Sequence, residues 1–133
     1  ATQVPLPEGA TALVYSRGSV PATTLGMLQK GMTSVTAASK TTYTAVAGDQ
    51  IVVDTVANPV TITLPASPAV GDEVTIMDGS ASNGFATNNC IIDRNSQPIE
   101  GSAANDTLAT NNQSVTLIYA NATKGWLYKS TNQ

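Results

Sequence analysis

The sequence contains no histidine, one cysteine and few charged side chains. Of its 133 residues, 11% are charged and 5% are aromatic. Without histidine there is no imidazole base, no Ser-His-Asp or Cys-His pair and no common zinc site. A single cysteine, Cys90, excludes an intrachain disulfide, and we interpret it as a small apolar strand residue, the alternative being a reactive or intersubunit thiol. These absences argue against most catalytic and metal-dependent functions.

Basic segments and long apolar segments are also missing. The six basic residues are scattered and the net charge is −3, so no row of them could neutralise a row of phosphates or bind a membrane surface. No stretch approaches the ~18 apolar residues of a membrane span. We therefore predict neither a nucleic-acid nor a membrane partner. Ala1 is interpreted as the residue left after removal of an initiator methionine, although a cleaved signal peptide would leave the same trace.

What is present is a β-strand pattern over about residues 41–129. Pro59-Val-Thr-Ile-Thr-Leu-Pro65 alternates apolar and hydroxyl side chains, and Ser114-Val-Thr-Leu-Ile-Tyr119 does the same. This alternation is typical of strands with one buried and one wet face, and threonine suits the wet face because its branched Cβ fits a pleated surface. The predicted strands are 41–46, 50–55, 60–64, 73–78, 90–93, 98–101, 107–109, 114–120 and 126–129.

Short strands separated by glycine, proline and asparagine turns predict an all-β domain, either an antiparallel β-sandwich or a jelly-roll-like arrangement. The predicted inward-facing residues are Ile51, Val53, Val60, Ile62, Leu64, Val74, Ile76, Ile92, Leu108, Val115, Leu117, Tyr119 and Leu127. Residues 48–54 and 71–78 resemble each other, since both place Gly-Asp before a strand. We interpret this as reuse of a turn–strand unit, because two copies do not make a solenoid.

Residues 1–40 differ from the rest and predict an extended N-terminal arm ahead of a β-domain at residues 41–133. Pro5 and Pro7 keep the first residues extended. A strand is predicted over 10–15, a short helix over 24–32 and a linker over 34–40. The arm has too few apolar residues for a core of its own, so we predict that it docks on the β-domain, a sister subunit or another protein. The predicted anchoring residues are Val4, Leu6, Leu13, Val14 and Tyr15.

Paired carboxylates are the one catalytic option that this composition leaves. The candidates are Asp54, Asp72, Glu73, Asp78, Asp93, Glu100 and Asp106. A glycosidase needs two carboxyl groups about 5–10 Å apart, but most of these residues flank turns, where aspartate bonds its own backbone. No loop has the oxygen spacing of a calcium site. We therefore predict no enzymatic activity, no cofactor and no metal.

Two aromatic residues near the end of the chain are candidates for ligand contact. Trp126 and Tyr128 fall on one face of the last predicted strand and could stack on a sugar ring. The alternative interpretation is that Trp126 closes the end of the core.

Several short segments occur in a fixed order along the β-rich part. They are Val60-Thr-Ile-Thr-Leu-Pro65, Pro68-Ala-Val-Gly-Asp72, Val74-Thr-Ile-Met-Asp78, Ile99-Glu-Gly101, Leu108, Val115-Thr-Leu-Ile-Tyr119 and Gly125-Trp126. This set resembles a small β-domain of virion proteins of tailed bacteriophages, and it is similar to modules of tail fibres and of head-attached decorations. The resemblance covers about residues 41–129. It implies an all-β domain, often trimeric, with a structural or adhesive role and no cofactor.

Three functions are carried forward from the sequence. The first is a structural protein of the virion, assembled in the host cytoplasm, and specifically a capsid decoration or cement protein. We expect it to form a homotrimer and to attach through the arm to the major capsid protein or another virion protein. The second is a glycan- or receptor-binding module of a tail fibre or tailspike, in which Trp126 or Tyr128 contacts the ligand. The third is an enzyme acting on surface polysaccharide. A secreted domain of low charge is the alternative to all of them.

Overall fold

Alternating apolar and hydroxyl residues form strands throughout residues 31–132, the part of the chain that the computed structural model describes. The chain divides into two units, residues 1–30 and 31–133. The described residues contain no helix. Their strands are β1 (Met32–Thr36), β2 (Thr42–Thr44), β3 (Gln50–Asp54), β4 (Val60–Thr63), β5 (Glu73–Asp78), β6 (Cys90–Asp93), β7 (Asp106–Leu108), β8 (Ser114–Asn121) and β9 (Gly125–Asn132). The all-β prediction is confirmed.

The strands form two mixed sheets, and consecutive strands from β1 to β6 alternate between them. The five-stranded sheet has the order β1-β3-β5-β8-β9 and the four-stranded sheet the order β2-β4-β6-β7. Within each sheet the first three strands are parallel. Parallel neighbours need a long crossover, and here each crossover contains a strand of the other sheet. The chain therefore winds as a coil in which each turn adds one strand to each sheet.

The prediction of antiparallel sheets is wrong for this coil. In the described residues, antiparallel pairing occurs between β5 and β8, β6 and β7, and β8 and β9. The turn residues identified the chain reversals correctly. A reversal such as Gly48-Asp49, however, does not decide whether the next strand pairs with its predecessor or crosses to the other sheet. That choice depends on which apolar faces meet in the core.

Both sheets contribute to one cluster of buried side chains. All of the predicted inward residues are buried except Leu127, which is half-buried. The cluster also contains Val35, Ala37, Ala45, Phe85, Cys90, Ile99 and Trp126. Period-two alternation thus identified the inner face of most predicted strands, but in β9 the inner face carries Trp126 and Tyr128 instead of Leu127. Alternation gave no signal for Phe85, which lies in the 79–89 connection.

Two segments differ from their predicted structure. Residues 32–36 form β1, which pairs with β3, whereas the sequence predicts that they belong to the arm and in part to a linker. Val35 is buried there. The predicted strand 98–101 is instead a loop, in which Ile99 makes isolated bridges to Ser102 and Trp126. The predicted strand 10–15 and nearly all of the predicted helix 24–32 lie outside the described residues, and Met32 is the first residue of β1.

The two similar segments at 48–54 and 71–78 occupy successive turns of the coil. They contain β3 and β5, which are parallel neighbours with Ile51 opposite Ile76. The register is offset by two residues from the best sequence alignment, in which Ile51 matches Val74. An offset of two keeps every side chain on the same face, so the apolar residues of both segments point into the core.

Candidate functional site

A cavity of about 270 Å³ lies beside Tyr128, between edge strand β7 and strands β8 and β9. Its lining residues are Asp106, Thr107, Leu108, Ala109, Thr110, Gln113, Val115, Tyr128 and Thr131. Leu108, Gln113 and Val115 are buried and form its floor, whereas the threonines are exposed at its rim. The cavity therefore combines an apolar floor, a buried amide, an aromatic ring, a carboxylate and several hydroxyl groups.

A β-bulge in β9 directs two of these side chains into the cavity. Tyr128 lies opposite Leu117 and Thr131 opposite Val115, with a register shift between them at Lys129. Opposed residues of an antiparallel pair share one face of the sheet, and Leu117 and Val115 both face the core. One extra residue in the strand is what places Tyr128 and Thr131 on this same inner face.

The hydroxyl of Tyr128 is held by a carboxylate on the facing edge strand. It donates a short hydrogen bond to Oδ2 of Asp106, while Oδ1 of Asp106 accepts the backbone N–H of Thr107 at 2.8 Å. The backbone N–H of Tyr128 donates to Oε2 of Glu100 at 2.9 Å. Burial raises the pKa of Tyr128 above its ordinary value, and the hydrogen bond to Asp106 raises it further. Tyr128 is therefore a neutral donor with a fixed ring.

Trp126, the other aromatic candidate, is part of the core. Its side chain is 0% exposed and makes an edge-to-face contact with Tyr119 at 5.5 Å between ring centroids. Its backbone N–H donates to the carbonyl of Pro98 at 2.8 Å, and its carbonyl accepts the N–H of Glu100 at 2.8 Å. In this position Trp126 closes the core and presents no face on which a sugar could stack. Tyr128 is half-buried and borders the cavity.

The predicted anchoring residues lie outside the described residues. They are Val4, Leu6, Leu13, Val14 and Tyr15, and their role in attachment stays a prediction.

Most of the candidate carboxylates organise turns, as the sequence predicted. Asp54 and Asp93 each accept the backbone N–H two residues further on, at 2.9 Å. Asp72 accepts the N–H of Ala69 at 2.8 Å. Glu73 forms an ion pair with Lys129, with 2.9 Å between Oε2 and Nζ. Glu100 and Asp106 instead form hydrogen bonds with Tyr128: Glu100 accepts its backbone N–H, and Asp106 accepts its hydroxyl group.

Asp78 has the densest set of partners among these carboxylates. Its Oδ1 accepts the N–H of Ser80 at 3.0 Å, and its Oδ2 accepts those of Phe85 at 3.2 Å and Asn112 at 3.0 Å. Burial by itself raises the pKa of Asp78, but these hydrogen bonds outweigh it and the net pKa is lowered. Gly84 is required here, because an added Cβ would lie 2.3 Å from Oδ2 of Asp78. Asp78 therefore ties β5 to two loops.

Cys90 lies inside the core at the start of β6, with 0% of its surface exposed. Burial raises the pKa of its thiol to about 12, and the charge of Asp78 adds to the shift. The structural interpretation of Cys90 agrees with this position, because reactive cysteines need an accessible thiolate.

Ligand groups for a metal do not cluster in the described part of the chain. No three His, Cys, Asp or Glu side chains among residues 31–132 are arranged to hold an ion. Among the same residues there is no helix with the length and apolar character needed to cross a membrane.

Sequence reasoning identified Tyr128 but missed its surroundings. In the sequence Asp106 is one of several similar carboxylates, and Gln113, which follows Asn111-Asn112, has the appearance of an ordinary turn residue. Asp106, Gln113 and Tyr128 lie close together because the edges of the two sheets face each other. No local sequence pattern predicts such a contact. Comparison of the sequence with family models and with curated proteins finds no match.

Proposed function

We propose that this chain is a non-enzymatic structural protein of a tailed-bacteriophage virion, and specifically a capsid decoration or cement protein. Residues 1–30 attach it to the major capsid protein or another virion protein, and the β unit covers the particle surface as a homotrimer. It reaches this location during assembly in the host cytoplasm. For the β unit we propose a sandwich of the two sheets, which is supported by their shared core.

The observation that carries this proposal is the outer surface of the sheets, which is rich in hydroxyl groups and has few charges. Thr61 and Thr63 of β4 alternate with buried residues, and on β5 and β8 the hydroxyls of Thr75 and Thr116 lie 2.9 Å apart. Among residues 31–132 there is one ion pair, between Lys129 and Glu73. A hydroxyl surface of this kind repels copies of itself weakly, which suits a protein packed at high density on a lattice.

The segments that carry the resemblance to phage virion domains also supply the core. Val60–Thr63, Glu73–Asp78 and Ser114–Asn121 are strands of the two sheets, and Trp126 is fully buried. The resemblance thus follows the residues on which this fold depends. Weak contacts repeated over a lattice give tight attachment through multivalency, so one modest arm contact per copy is sufficient.

Truncation of the arm tests the proposal. Particles of the phage that encodes this chain would be prepared without it and mixed with the full chain or with a chain lacking residues 1–20. We expect the full chain to bind in many copies per particle and the truncated chain not to bind, while the fluorescence of Trp126 shows that the β unit is folded. Binding of the truncated chain at full occupancy would show that the arm is not the anchor.

Point variants sharpen this experiment. Leu13→Asp and Val14→Asp alter predicted anchoring residues, and we expect both to weaken attachment. Val70→Asp is the matched control, because Val70 is 76% exposed on the β unit. An equal loss with Val70→Asp would place the contact on the β unit instead. The copy number per particle separates a capsid decoration, with hundreds of copies, from a tail component, with a handful.

The alternative function is a glycan- or receptor-binding module of a tail fibre or tailspike. The cavity beside Tyr128 favours it, because an aromatic ring next to a carboxylate and hydroxyl groups is a common arrangement for a polar ligand. A glycan array probed with the full chain tests this alternative. We expect reproducible binding of a defined set of glycans, and an array without any binding would contradict it.

A further inference from the structure

The cavity between β7 and β9 contains a largely buried amide, Gln113, whose NH₂ group remains accessible. Gln113 is 5% exposed and lies in the cavity floor. Its Oε1 accepts the N–H of Thr110 at 3.2 Å, whereas its NH₂ group has no hydrogen-bond partner among residues 31–132. The NH₂ nitrogen is not one of the fully buried, unpaired polar atoms of this region, so it remains accessible to a molecule in the cavity. An oxygen of a bound molecule would complete the hydrogen bonds of Gln113.

The charge of the cavity restricts the ligand. Asp106 is the one charged side chain in the lining, and no lysine or arginine is part of it. A carboxylate without a neighbouring cation repels phosphate, sulfate and carboxylate groups, but it accepts hydrogen bonds from hydroxyl groups. The exposed hydroxyls of Thr107 and Thr131 offer both donors and acceptors at the rim. The ligand that matches this pattern is neutral and rich in hydroxyl groups.

The shape and the apolar surfaces indicate a small ring. At about 270 Å³ the cavity is slightly smaller than the usual ligand pocket, which measures roughly 300–1,000 Å³. Leu108 and Val115 supply an apolar floor, and the hydrogen bond to Asp106 holds the ring of Tyr128 in place. A pyranose presents such a surface with an apolar CH face and with hydroxyls around its edge, and such faces pack on aromatic rings.

We propose that this cavity binds a neutral saccharide, in which Gln113 donates to a ring hydroxyl, Asp106 accepts from another, and Tyr128 contacts the CH face. This inference rests on the alternative function above, and it adds the location of the site and the class of the sugar. It is independent of whether the arm attaches the chain to a particle.

Titration of the full-length chain with simple sugars tests the inference. The neutral probes are the methyl glycosides of glucose, galactose, mannose and N-acetylglucosamine, and the anionic probes are N-acetylneuraminic acid and glucose 6-phosphate. Nuclear magnetic resonance would follow the side-chain NH₂ of Gln113 and the backbone signals of Thr107 and Thr131. We expect at least one neutral glycoside to shift these signals and to bind roughly tenfold or more tightly than the anionic probes.

A matched pair of variants identifies the donor. Gln113→Glu keeps the acceptor for Thr110 and removes the NH₂ group, and we expect it to weaken binding of the neutral glycoside by roughly tenfold or more. Gln97→Glu is the control, because Gln97 accepts the hydroxyl of Tyr119 at 2.9 Å but lies outside the cavity lining. It should leave binding unchanged. If Gln113→Glu does not fold, the signal shifts in the unaltered chain still decide the question.

The outcomes separate the site from the function. A saccharide that binds with signal shifts confined to another surface, or anionic probes that bind more tightly than neutral ones, would overturn this inference and leave the glycan-binding function standing. Equal loss of binding in both glutamate variants would also overturn the assignment of Gln113. If no saccharide binds, either in titration or on the array, both the inference and the alternative function are wrong.

Discussion

Asp78→Asn should destabilise the β unit, because this carboxylate is the common acceptor for two loops. In the unaltered chain it accepts the N–H groups of Ser80, Phe85 and Asn112. Asparagine has nearly the same shape but one acceptor oxygen. In the best orientation of the asparagine side chain, its oxygen still accepts the N–H groups of Phe85 and Asn112. Its NH₂ group then faces the N–H of Ser80, so that one hydrogen bond is replaced by a repulsive contact.

The expected cost follows from the strengths of these hydrogen bonds. Hydrogen bonds to a charged group contribute about 1.5–3 kcal/mol, against about 0.5–1.5 kcal/mol for neutral ones. One lost and two weakened bonds would amount to more than 3 kcal/mol in a fully buried site. Because Asp78 is half-buried, screening by solvent lowers this, and we expect a loss of roughly 2–3 kcal/mol at neutral pH.

The pH dependence provides a second, independent check. The pKa of Asp78 is lowered in the folded state from its ordinary value of 3.8. Its stabilising effect is therefore fully present above the unfolded-state pKa and is lost as the pH falls through the lower folded-state pKa. The difference between the unaltered chain and Asp78→Asn should thus be largest at neutral pH and should shrink once the pH falls below about 4.

Urea unfolding at one fixed protein concentration, followed by the fluorescence of Trp126, measures this difference. Trp126 is the single tryptophan of the chain and is fully buried. Asp54→Asn is the matched control, because Asp54 accepts one exposed N–H, from Val56 at 2.9 Å, and should lose less than about 1 kcal/mol. A loss below about 0.5 kcal/mol for Asp78→Asn, or a loss that does not change with pH, would refute the reasoning.

Three further predictions follow from individual contacts. Gly125→Ala should lower the free energy of unfolding by more than about 2 kcal/mol, because φ of Gly125 is +70° and a Cβ would lie 1.9 Å from the carbonyl oxygen of Pro98. Gly71→Ala is the control, with φ +94° and open space around the added Cβ, and it should cost only about 1 kcal/mol. Equal costs would contradict the steric argument. Cys90 should not react with Ellman's reagent at mildly alkaline pH until the chain unfolds, since burial raises its pKa to about 12; fast reaction of the native chain would disprove this. Lys129→Ala, which removes an exposed ion pair, should change thermal stability by less than about 1 kcal/mol, and a larger loss would assign that ion pair a structural role.

The candidate site was predictable only in part. The period of two correctly placed Trp126 and Tyr128 on one face of the last strand, but it could not say that this face points into the core, because the same alternation serves either orientation. Thr131 lines the cavity on the same face as Tyr128 because β9 gains a residue at Lys129, which strict alternation does not predict. Asp106, the partner of Tyr128, is distant in sequence, and local propensity carries no signal for such a contact.

The sequence by itself determined most of the strands after β1, most of their inner faces and most of the reversals between them, because these depend on the alternation of neighbouring residues and on local turn chemistry. It also contained, in the similarity of residues 48–54 and 71–78, a trace of two adjacent turns of the coil. Only the tertiary structure decided that these strands pair in parallel, that Met32–Thr36 joins the first sheet, and that Asp106, Gln113 and Tyr128 meet. Pairing depends on the free energy of burying one shared core, a property of the whole chain that no short segment specifies.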